Sequence, residues 1–345
     1  MALQEEIFEQ TEVLERLLDG QMKQVGSIAQ QIRRHSPAYV FLAARGTSDN
    51  AGRYANYLWG SLNGLPVALA TPSLFTYYQK PPRLYGALVV AVSQSGQSPD
   101  IISVLDEGHR QGCPTLAITN ATDSPLAHFA DFVIDIQAGE EAAVAATKTY
   151  TAELMAVAML SVSLSGDQAC RQALSLTPGW VRQVLTLDEQ IARIAERYRF
   201  MEQCVVIGRG YNYATAFEWS LKLKELTYVI AEPYSSADFR HGPIAMVESG
   251  FPVMAVAHSG QVFQDLLGLL ESLRHDLKAE LLVISDQPEA LRTAQSPLAL
   301  PVGIPEWLSP LVAIVPAQLF AYYLTRAKGY DTEKPRQIRK VTETH

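Results

Sequence analysis

The chain reads ALVVAVSQSGQSP from residue 87 to residue 99. Six apolar residues form a run that is typical of a buried strand, and a turn rich in serine and glycine follows at once. Ser98 stands where it can cap a helix whose first residue is Pro99, a position at which proline loses no hydrogen bond. The stretch therefore predicts a strand, a turn and the start of a helix, which is the building block of a parallel sheet.

Short apolar runs alternate with longer helical patterns on both sides of this stretch. The predicted strands are Tyr39–Ala43, Val67–Ala70, Ala87–Val92, Thr115–Thr119 and Phe132–Ile136. The predicted helices are Asn50–Leu62, Asp100–Gln111 and a long segment from Thr147 to about Leu164. Before them, an apolar stripe with helical spacing predicts one or two amphipathic helices: Ile7, Leu14, Leu18, Met22, Val25, Ile28 and Ile32. This alternation predicts an α/β fold with a parallel sheet covered on both faces.

The second half of the chain repeats the first. Ala44-Arg45-Gly46 returns 164 positions later as Gly208-Arg209-Gly210, and the segment from Ala91 returns at the same offset from Ala255. We interpret the chain as two tandem copies of one doubly wound, flavodoxin-like parallel-sheet domain. The predicted division is a helical segment at 1–34, a first copy at 35–166, a second copy at 195–328 and a tail at 329–345.

Composition excludes several classes of partner. The chain has 345 residues, a formal net charge of −8 and a pI near 5.4, which argues against a nucleic-acid partner. The start, MALQEEIFEQ, lacks the layout of a signal peptide, and no apolar run approaches the roughly 20 residues of a membrane span. We therefore expect a cytoplasmic protein without a membrane partner.

The cysteines are few and scattered. Cys113, Cys170 and Cys204 form no CxxC pattern and no pairing with histidine, so we expect reduced thiols and no zinc or other metal site.

Hydroxyl-bearing residues follow two of the predicted strands. They are Thr47, Ser48, Ser93, Ser95 and Ser98. Ligands of open parallel sheets bind beyond the carboxyl ends of the strands, and a helix N-terminus with hydroxyls can hold a phosphate without a cation. Gly96 would let the backbone pass close to such a ligand. The alternative is that these residues simply mark loops. The second copy has Ala257-His258-Ser259-Gly260 here, with fewer hydroxyls, so we expect one phosphate site per chain.

Three positions are candidates for acid, base or nucleophile. Lys222 and Glu225 share a helical face among apolar neighbours, and a partly buried carboxylate is a good general base, although an exposed ion pair is the ordinary alternative. His241 lies in a loop before Gly-Pro, where it is either structural or catalytic. Lys340 lies in a basic tail that is either solvated or a lid that delivers an amine.

The chain resembles a known family through six motifs in order. They are Arg45-Gly46-Thr47-Ser48, Ser93-Gln94-Ser95-Gly96, Val144-Ala145-Ala146-Thr147-Lys148, Leu221-Lys222-Leu223-Lys224-Glu225, Arg240-His241-Gly242-Pro243 and the tail Lys334 to Thr342. The series resembles the isomerase half of glucosamine-6-phosphate synthase and its relatives, the sugar isomerase (SIS) family, from residue 36 onward.

The resemblance implies a role for each matching residue. Glu225 would move a proton between C1 and C2, His241 would help to open the sugar ring from the neighbouring subunit, and Lys340 would form a Schiff base with the open-chain ketose. Lys222 would line the same site. The residues implied in binding the sugar phosphate are Thr47, Ser48, Ser93, Gln94, Ser95, Ser98, Val144, Ala146 and Arg336. A homodimer with a shared active site, and no metal or organic cofactor, are implied as well.

Two departures from the synthases reduce the number of reactions that the resemblance implies. Ala146 stands where the synthases usually have serine, which looks more like the SIS-type glucosamine-6-phosphate deaminases. No cysteine lies near the start of the chain, so glutamine is not expected to be the nitrogen source. We expect conversion of glucosamine 6-phosphate to fructose 6-phosphate and ammonia. The alternatives are an ammonia-dependent synthase, an enzyme for galactosamine or fructosamine 6-phosphate, and a non-catalytic sugar-phosphate sensor. Nucleotide binding is disfavoured, because neither copy has GxGxxG after its first strand.

Overall fold

The computed structural model describes residues 2–340, which divide into two compact units. The N-terminal unit contains Glu9–Ala142, Ala146–Leu176 and the tail from Arg339. The C-terminal unit contains the residues up to Phe8, with Ala143–Ala145 and Thr177–Ile338. The chain opens with helix α1 (Ala2–Phe8) and helix α2 (Gln10–His35), which confirms the helices predicted from the apolar stripe.

One parallel five-stranded sheet forms the centre of the N-terminal unit. Its strands are β1 (Tyr39–Ala43), β2 (Val67–Leu69), β3 (Ala87–Val92), β4 (Thr115–Thr119) and β5 (Phe132–Asp135). Their order in the sheet is β2-β1-β3-β4-β5, and every pair is parallel. The chain leaves β1 towards one edge and β3 towards the other, so a topological switch point lies between β1 and β3.

Helices cover this sheet: α3 (Gly46–Asn63), α4 (Pro99–Arg110), α5 (Pro125–Phe129), α6 (Lys148–Ser165) and α7 (Gln168–Ser175). Helix α6 is buried from Lys148 to Val162 and packs against both α2 and α3. The indole N–H of Trp59 in α3 donates to the Val157 carbonyl at 3.1 Å. Helix α3 begins at Gly46, four residues before the predicted start, because the hydroxyl-rich segment after β1 forms the first helical turn.

The C-terminal unit has the same plan. Its strands are β6 (Gln203–Gly208), β7 (Ile230–Ser235), β8 (Pro252–Val256), β9 (Glu280–Ser285) and β10 (Ser296–Ala299). Its helices are α8 (Thr177–Leu185), α9 (Asp188–Arg197), α10 (Tyr213–Thr227), α11 (Ser236–Arg240), α12 (Phe263–His275), α13 (Pro288–Thr293) and α14 (Ser309–Ala327). The strand order β7-β6-β8-β9-β10 repeats that of the first sheet, strand for strand. The prediction of two doubly wound parallel-sheet copies is confirmed.

Each unit contains an ion pair at the same place in its fold. In the N-terminal unit, Arg45 Nη2 lies 2.7 Å from Oδ2 of the fully buried Asp100. In the C-terminal unit, Arg209 Nη1 lies 2.6 Å from Asp265 Oδ2. Each arginine precedes a glycine in the left-handed region, at φ +54 and +61. In both units the pair ties the segment after the first strand to the helix after the third.

The expectation that no apolar run approaches the length of a membrane span was wrong. The segment Glu306–Ala327 is long and apolar enough to cross a membrane. Pro316 and Gln318 interrupt the apolar run in the sequence, yet both lie inside α14. Because α14 is buried inside the protein almost throughout, its apolar surface is used in packing, as in the core helix of a soluble protein.

Candidate functional site

The turn after β3 offers hydroxyl groups at the start of α4. Ser93 Oγ accepts a hydrogen bond from the Gly96 N–H at 3.1 Å, and Ser95 Oγ accepts one from the Gln97 N–H at 3.3 Å. Each serine thus fixes the turn through its oxygen and keeps its own O–H proton for a ligand. Ser98 occupies the N-cap position, as predicted, but its side chain makes no capping hydrogen bond. Together these three hydroxyls surround a helix N-terminus, which attracts anions.

Gly96 is required by its backbone conformation and by its neighbour Ser124. Its φ is +61, and a Cβ atom there would lie 2.1 Å from Ser124 Oγ. The space beside Gly96 is therefore filled by the protein itself. A side chain at this position would displace Ser124 and distort the turn that carries the serine hydroxyls.

The start of α3 contributes through its backbone. Ser48 Oγ donates a 2.7 Å hydrogen bond to Glu153 Oε1, and the Glu153 residue is 1% exposed. Because serine has one hydroxyl proton, Ser48 gives it to Glu153, and its N–H in the first helical turn is the donor left for a ligand. Thr47 lies half-buried beside it. Sequence reasoning missed Glu153, which lies 105 positions away with no local pattern.

A buried carboxylate, Glu141, contacts two further predicted residues of this unit, Gln94 and Lys340. Its Oε1 accepts hydrogen bonds from the N–H groups of Thr147 and Thr149, at 2.9 and 3.1 Å. Its Oε2 accepts from Gln94 Nε2 at 3.2 Å and from Lys340 Nζ at 2.6 Å. Glu141 thus connects the turn after β3, the start of α6 and the tail lysine. Sequence reasoning missed Glu141, although an acidic residue before the Val-Ala-Ala-Thr-Lys motif was a usable signal.

Lys340 is therefore not a solvated residue in this structure, since its side chain is 24% exposed and paired with Glu141. The last residues of the tail motif, Val341 and Thr342, lie outside the described residues. Within the preceding motif, Val144 and Ala146 are both partly exposed.

The C-terminal unit carries a buried charge cluster on α10. Lys222 Nζ lies 2.7 Å from Glu225 Oε2 and 3.4 Å from Glu218 Oε1. The side chains of Lys222 and Glu218 are 2% and 0% exposed, whereas Glu225 is 24% exposed. The alternative of an exposed ion pair is wrong, because Lys222 is buried between two carboxylates. Glu218 was missed, and its spacing of four residues from Lys222 could have found it.

His241 and Arg336 lie in different settings within this unit. His241 follows α11 on an exposed turn, and its backbone N–H donates to the Asp238 carbonyl at 3.1 Å. The Arg336 guanidinium carbon lies 4.4 Å from the ring centre of Tyr228 and 5.2 Å from that of Tyr330. The Arg336 N–H also donates to Tyr228 Oη at 3.0 Å. Arg336 therefore anchors the start of the tail to Tyr228, the residue that follows α10.

Within residues 2–340, no group of three or more histidine, cysteine, aspartate or glutamate side chains is placed to hold a metal ion. The three cysteines are free thiols, with Cys113 and Cys204 buried and Cys170 partly exposed.

These two units match one family model twice. The SIS domain model matches residues 35–163 and 201–327, and the chain therefore belongs to the SIS domain family. The resemblance inferred from the motifs is confirmed.

Known proteins extend the likeness to most of the chain. Glutamine–fructose-6-phosphate aminotransferase (isomerizing) from Gloeobacter violaceus is 35% identical over 312 residues, 87% of this chain and 51% of the relative. The chain spans about half the length of the curated relatives it matches. The C-terminal domain of glucosamine-fructose-6-phosphate aminotransferase from Francisella tularensis has a TM-score of 0.86 and 28% identity, covering 97% and 98% of the two chains. Glucosamine-6-phosphate deaminase from Thermotoga maritima covers both chains fully with a TM-score of 0.81, and at 20% identity it shows the fold alone.

Proposed function

We propose that the chain is an amino-sugar-phosphate deaminase and isomerase that converts glucosamine 6-phosphate to fructose 6-phosphate and ammonia in the cytoplasm. The observation that carries the proposal is the cluster on α10. Glu225 is partly exposed and held 2.7 Å from a buried ammonium, and this ammonium is itself flanked by a second buried carboxylate. A carboxylate with one side open and its position set by buried charge is suited to proton transfer.

The phosphate group of the substrate is assigned to the N-terminal unit. Ser93, Ser95 and Ser98 supply hydroxyl donors at the switch point between β1 and β3, where ligands of doubly wound sheets bind. The N-termini of α3 and α4 supply N–H groups and a favourable dipole for a dianion. Thr47, Ser48 and Gln94 complete this proposed phosphate site.

The chemistry needs only proton transfers and water. After ring opening, assisted by His241, Glu225 takes the proton from C2 of the aldose to give an enolamine. Return of a proton to C1 produces the C2 imine of the ketose. Water then adds at C2, and ammonia leaves to give fructose 6-phosphate. Every atom is accounted for, with no oxidant or reductant.

Lys340 offers a covalent route for the last step. As a neutral amine it adds to C2 of the imine and displaces ammonia, which leaves a Schiff base between Lys340 and the ketose. Water then hydrolyses this Schiff base, which releases fructose 6-phosphate and regenerates the amine. Glu141 Oε2, 2.6 Å from Lys340 Nζ, is placed to accept the proton that the ammonium must first lose. The pairing supports a role for Lys340 in the deamination step and gives Glu141 a role in preparing it.

Ala146, the residue that departs from the synthases in sequence, favours deamination over synthesis. Ala146 is partly exposed and carries only a methyl group, whereas a serine would add a hydroxyl donor at this point of the motif. An ammonia-dependent synthase that runs the reaction backwards is the second candidate, because the relatives of this chain are named as aminotransferases that act on fructose 6-phosphate, although with glutamine in the curated name. A sugar-phosphate sensor has no need of the buried charge on α10.

The test is to incubate the purified chain with glucosamine 6-phosphate and to follow ammonia and fructose 6-phosphate together. We expect equal amounts of both from the unchanged protein, and a loss of about 10²–10⁴-fold in rate for Glu225→Gln. Glu232→Gln changes an exposed glutamate of the same unit and is the matched control. Product formation from galactosamine 6-phosphate alone would correct the substrate. Binding without any product from either sugar would support the sensor.

The oligomeric state belongs to the same proposal. We propose a homodimer in which the partner subunit's copy of His241 completes the active site, and the exposed position of this histidine is compatible with that role. Sedimentation of the purified chain, together with activity regained on mixing Glu225→Gln and His241→Ala proteins, would test the sharing of residues.

A further inference from the structure

A cavity of about 400 Å³ lies at the start of β6 and β7 in the C-terminal unit. Residues 199–202, which lead into β6, form one side, and residues 227–230, which connect α10 to β7, form another. Lys328 and Tyr330, which follow α14, also line it. The cavity therefore lies at the amino edge of the sheet, whereas the ligands of doubly wound sheets bind at the carboxyl edge. Its volume is within the range of about 300–1,000 Å³ that is usual for small-molecule sites.

The N-terminal unit has a cavity of about 340 Å³ at the matching place. Four of its lining residues stand 164 positions before lining residues of the first cavity: Ser36, Pro37, Asn63 and Leu65. The void is thus a property of the repeated fold, and its lining is particular to each unit. In the N-terminal unit the lining is mainly aliphatic, and its cation, Arg33, donates to the carbonyls of Ser163 and Leu164. In the C-terminal unit the lining is aromatic and basic.

Tyr228 lines the cavity in a backbone conformation that tyrosine rarely adopts. Its φ is +59, and Gly64, which stands 164 positions earlier, has a φ of +64. A left-handed φ strains a residue that has a Cβ atom, and glycine avoids this strain. The C-terminal unit keeps the strain and gains a ring in the cavity wall, whose centre lies 4.9 Å from that of the Tyr330 ring. Backbone strain of this kind is concentrated at functional sites.

Two further apolar side chains of the lining face solvent. Phe200 is 84% exposed and Ile230 is 65% exposed. A single exposed apolar side chain is ordinary on a protein surface, but these two line one cavity together with the rings of Tyr228 and Tyr330. Aromatic rings stack against one another and gain free energy when they leave water. The wall of the cavity is therefore suited to a flat ring.

Two cations of the lining have no carboxylate partner. Lys328 Nζ donates to the Met201 carbonyl at 2.6 Å, and the Arg199 guanidinium carbon lies 5.1 Å from the ring centre of Phe200. Neither cation forms an ion pair with Glu202, which also lines the cavity, or with any other residue from 2 to 340. Burial lowers the pKa of Lys328, and the charge of Glu202 opposes this only in part. Because an ammonium has three N–H donors, Lys328 keeps two for an anion.

The tyrosines of the cavity also hold the tail. The guanidinium carbon of Arg336 lies 4.4 Å from the ring centre of Tyr228 and 5.2 Å from that of Tyr330. The Arg336 N–H donates to Tyr228 Oη. A ligand that packs against these rings therefore changes the surroundings of Arg336.

We propose that this cavity binds a small aromatic anion, a flat ring that carries a carboxylate or a phosphate, and that the bound ring acts on the tail through Tyr228. The ring packs against Phe200 and Tyr228, and the anionic group accepts hydrogen bonds from Lys328 and Arg199. The binding holds whichever reaction the chain catalyses, so its test needs no assay of activity.

Isothermal titration calorimetry with indole-3-acetate and with phenyl phosphate tests the site. We expect binding whose dissociation constant rises at least about tenfold in Phe200→Ser, which copies Ser36, and in Lys328→Met. Arg199→Gln serves if the Lys328 variant unfolds. Phe129→Ser removes an exposed phenylalanine from the N-terminal unit and is expected to bind like the unchanged protein. Tryptophol has the ring of indole-3-acetate without the carboxylate and should bind at least about tenfold more weakly.

An amide NMR spectrum locates the ligand. The aryl anion is expected to shift the signals of Ile230 and Arg336 in the unchanged protein but not in Phe200→Ser, and to leave Gly96 in place. Binding of only one of the two aryl anions would support the site and identify its anionic group. A shift of Ile230 without Arg336 would overturn the link to the tail.

Three results would overturn the site itself. They are binding of neither aryl anion, equal affinity for tryptophol and indole-3-acetate, and binding that no folded variant of the cavity weakens. Phenyl phosphate that shifts Gly96 instead of Ile230 would also overturn it, while supporting the phosphate site proposed for the N-terminal unit.

Discussion

The ammonium of Lys340 lies 2.6 Å from the carboxylate of Glu141, which solvent does not reach. The two residues are 199 positions apart, and the pair fixes the tail to the N-terminal unit. Because the same carboxylate accepts from Gln94 and from the start of α6, the tail lysine and the proposed phosphate site share one support. A change at Glu141 should therefore affect both.

Glu141→Gln tests this shared support. The amide brings N–H donors to a place where the protein already supplies donors, so we expect a loss of about 1–3 kcal/mol in the free energy of unfolding. We also expect deamination to slow by about 10²-fold, because Lys340 and Gln94 lose their fixed positions. Urea unfolding and the coupled ammonia assay measure the two effects. Glu140→Gln alters the exposed neighbour and is expected to change neither. Equal behaviour of the two variants would contradict the role of Glu141.

Lys222→Gln tests the buried charge cluster of α10. Removing the ammonium leaves Glu218 and Glu225 without their shared partner, and breaking a buried ion pair costs about 3–5 kcal/mol. We expect a matching fall in the free energy of unfolding by urea. Lys224→Gln, two residues along the same helix and exposed, is expected to lie within about 0.5 kcal/mol of the unchanged protein. A small effect at Lys222 would show that the cluster is open to water.

Local patterns predicted the sheets and missed the buried carboxylates. Strands β1, β3 and β4 have the predicted bounds, because each is a short apolar run between turn residues. The repeat at an offset of 164 carried the prediction to the second sheet. The carboxylates of Glu141, Glu153 and Glu306 were missed, since their partners lie far away in sequence or on a backbone that only the fold brings near.

The hydroxyl-rich turns were found for a related reason. Serine and glycine directly after a strand place donors at the carboxyl edge of a parallel sheet, so their position follows from the chain order. What each hydroxyl does could not be predicted. Ser48 and Ser95 look alike in sequence, yet Ser48 gives its proton to Glu153 and Ser95 accepts from a loop N–H.

Gly96→Ala tests the turn that carries the serines. A left-handed φ costs an alanine about 1–2 kcal/mol, and the contact with Ser124 adds to this, so we expect lower stability and weaker binding of inorganic phosphate. Adding Ser124→Gly should recover the part that is due to the contact. Gly60→Ala, in the exposed face of α3 with nothing within 4 Å, should instead stabilise by about 0.4–1 kcal/mol. Thermal unfolding measures the stability of each variant, and titration measures its binding of phosphate. A Gly96→Ala protein that is as stable as Gly60→Ala would contradict the prediction.

Acid should weaken the C-terminal unit through Asp265. Burial is the largest single influence on this carboxyl and raises its pKa, but hydrogen bonds from Ser236, Arg240 and Arg209 together hold the pKa below its usual value. A lowered pKa in the folded state adds stability above the unfolded pKa of about 3.9, and this stability is lost as the pH falls through the folded value.

Asp265→Asn should therefore be less stable than the unchanged protein at pH 7 and should lose less on going from pH 5 to pH 2. Urea midpoints across this range measure the difference. Asp123→Asn alters an exposed aspartate and should leave the pH profile as it is. A parallel profile for Asp265→Asn would mean that the carboxyl contributes nothing to acid sensitivity.

Variants of Arg336 can show whether this residue anchors the tail or binds the substrate. Its guanidinium stacks over Tyr228, so the geometry predicts that Arg336→Ala and Tyr228→Ala lower kcat alike and leave the dissociation constant of glucosamine 6-phosphate unchanged. In a double-mutant cycle by urea unfolding, the pair should show a coupling of about 0.5–2 kcal/mol. Arg339→Ala, an exposed arginine of the same tail, should show no coupling with Tyr228. Weaker sugar-phosphate binding in Arg336→Ala but not in Tyr228→Ala would assign Arg336 to the substrate, as the motif resemblance implies. Arg336→Lys sharpens the test, because lysine keeps the charge and loses the flat stacking surface.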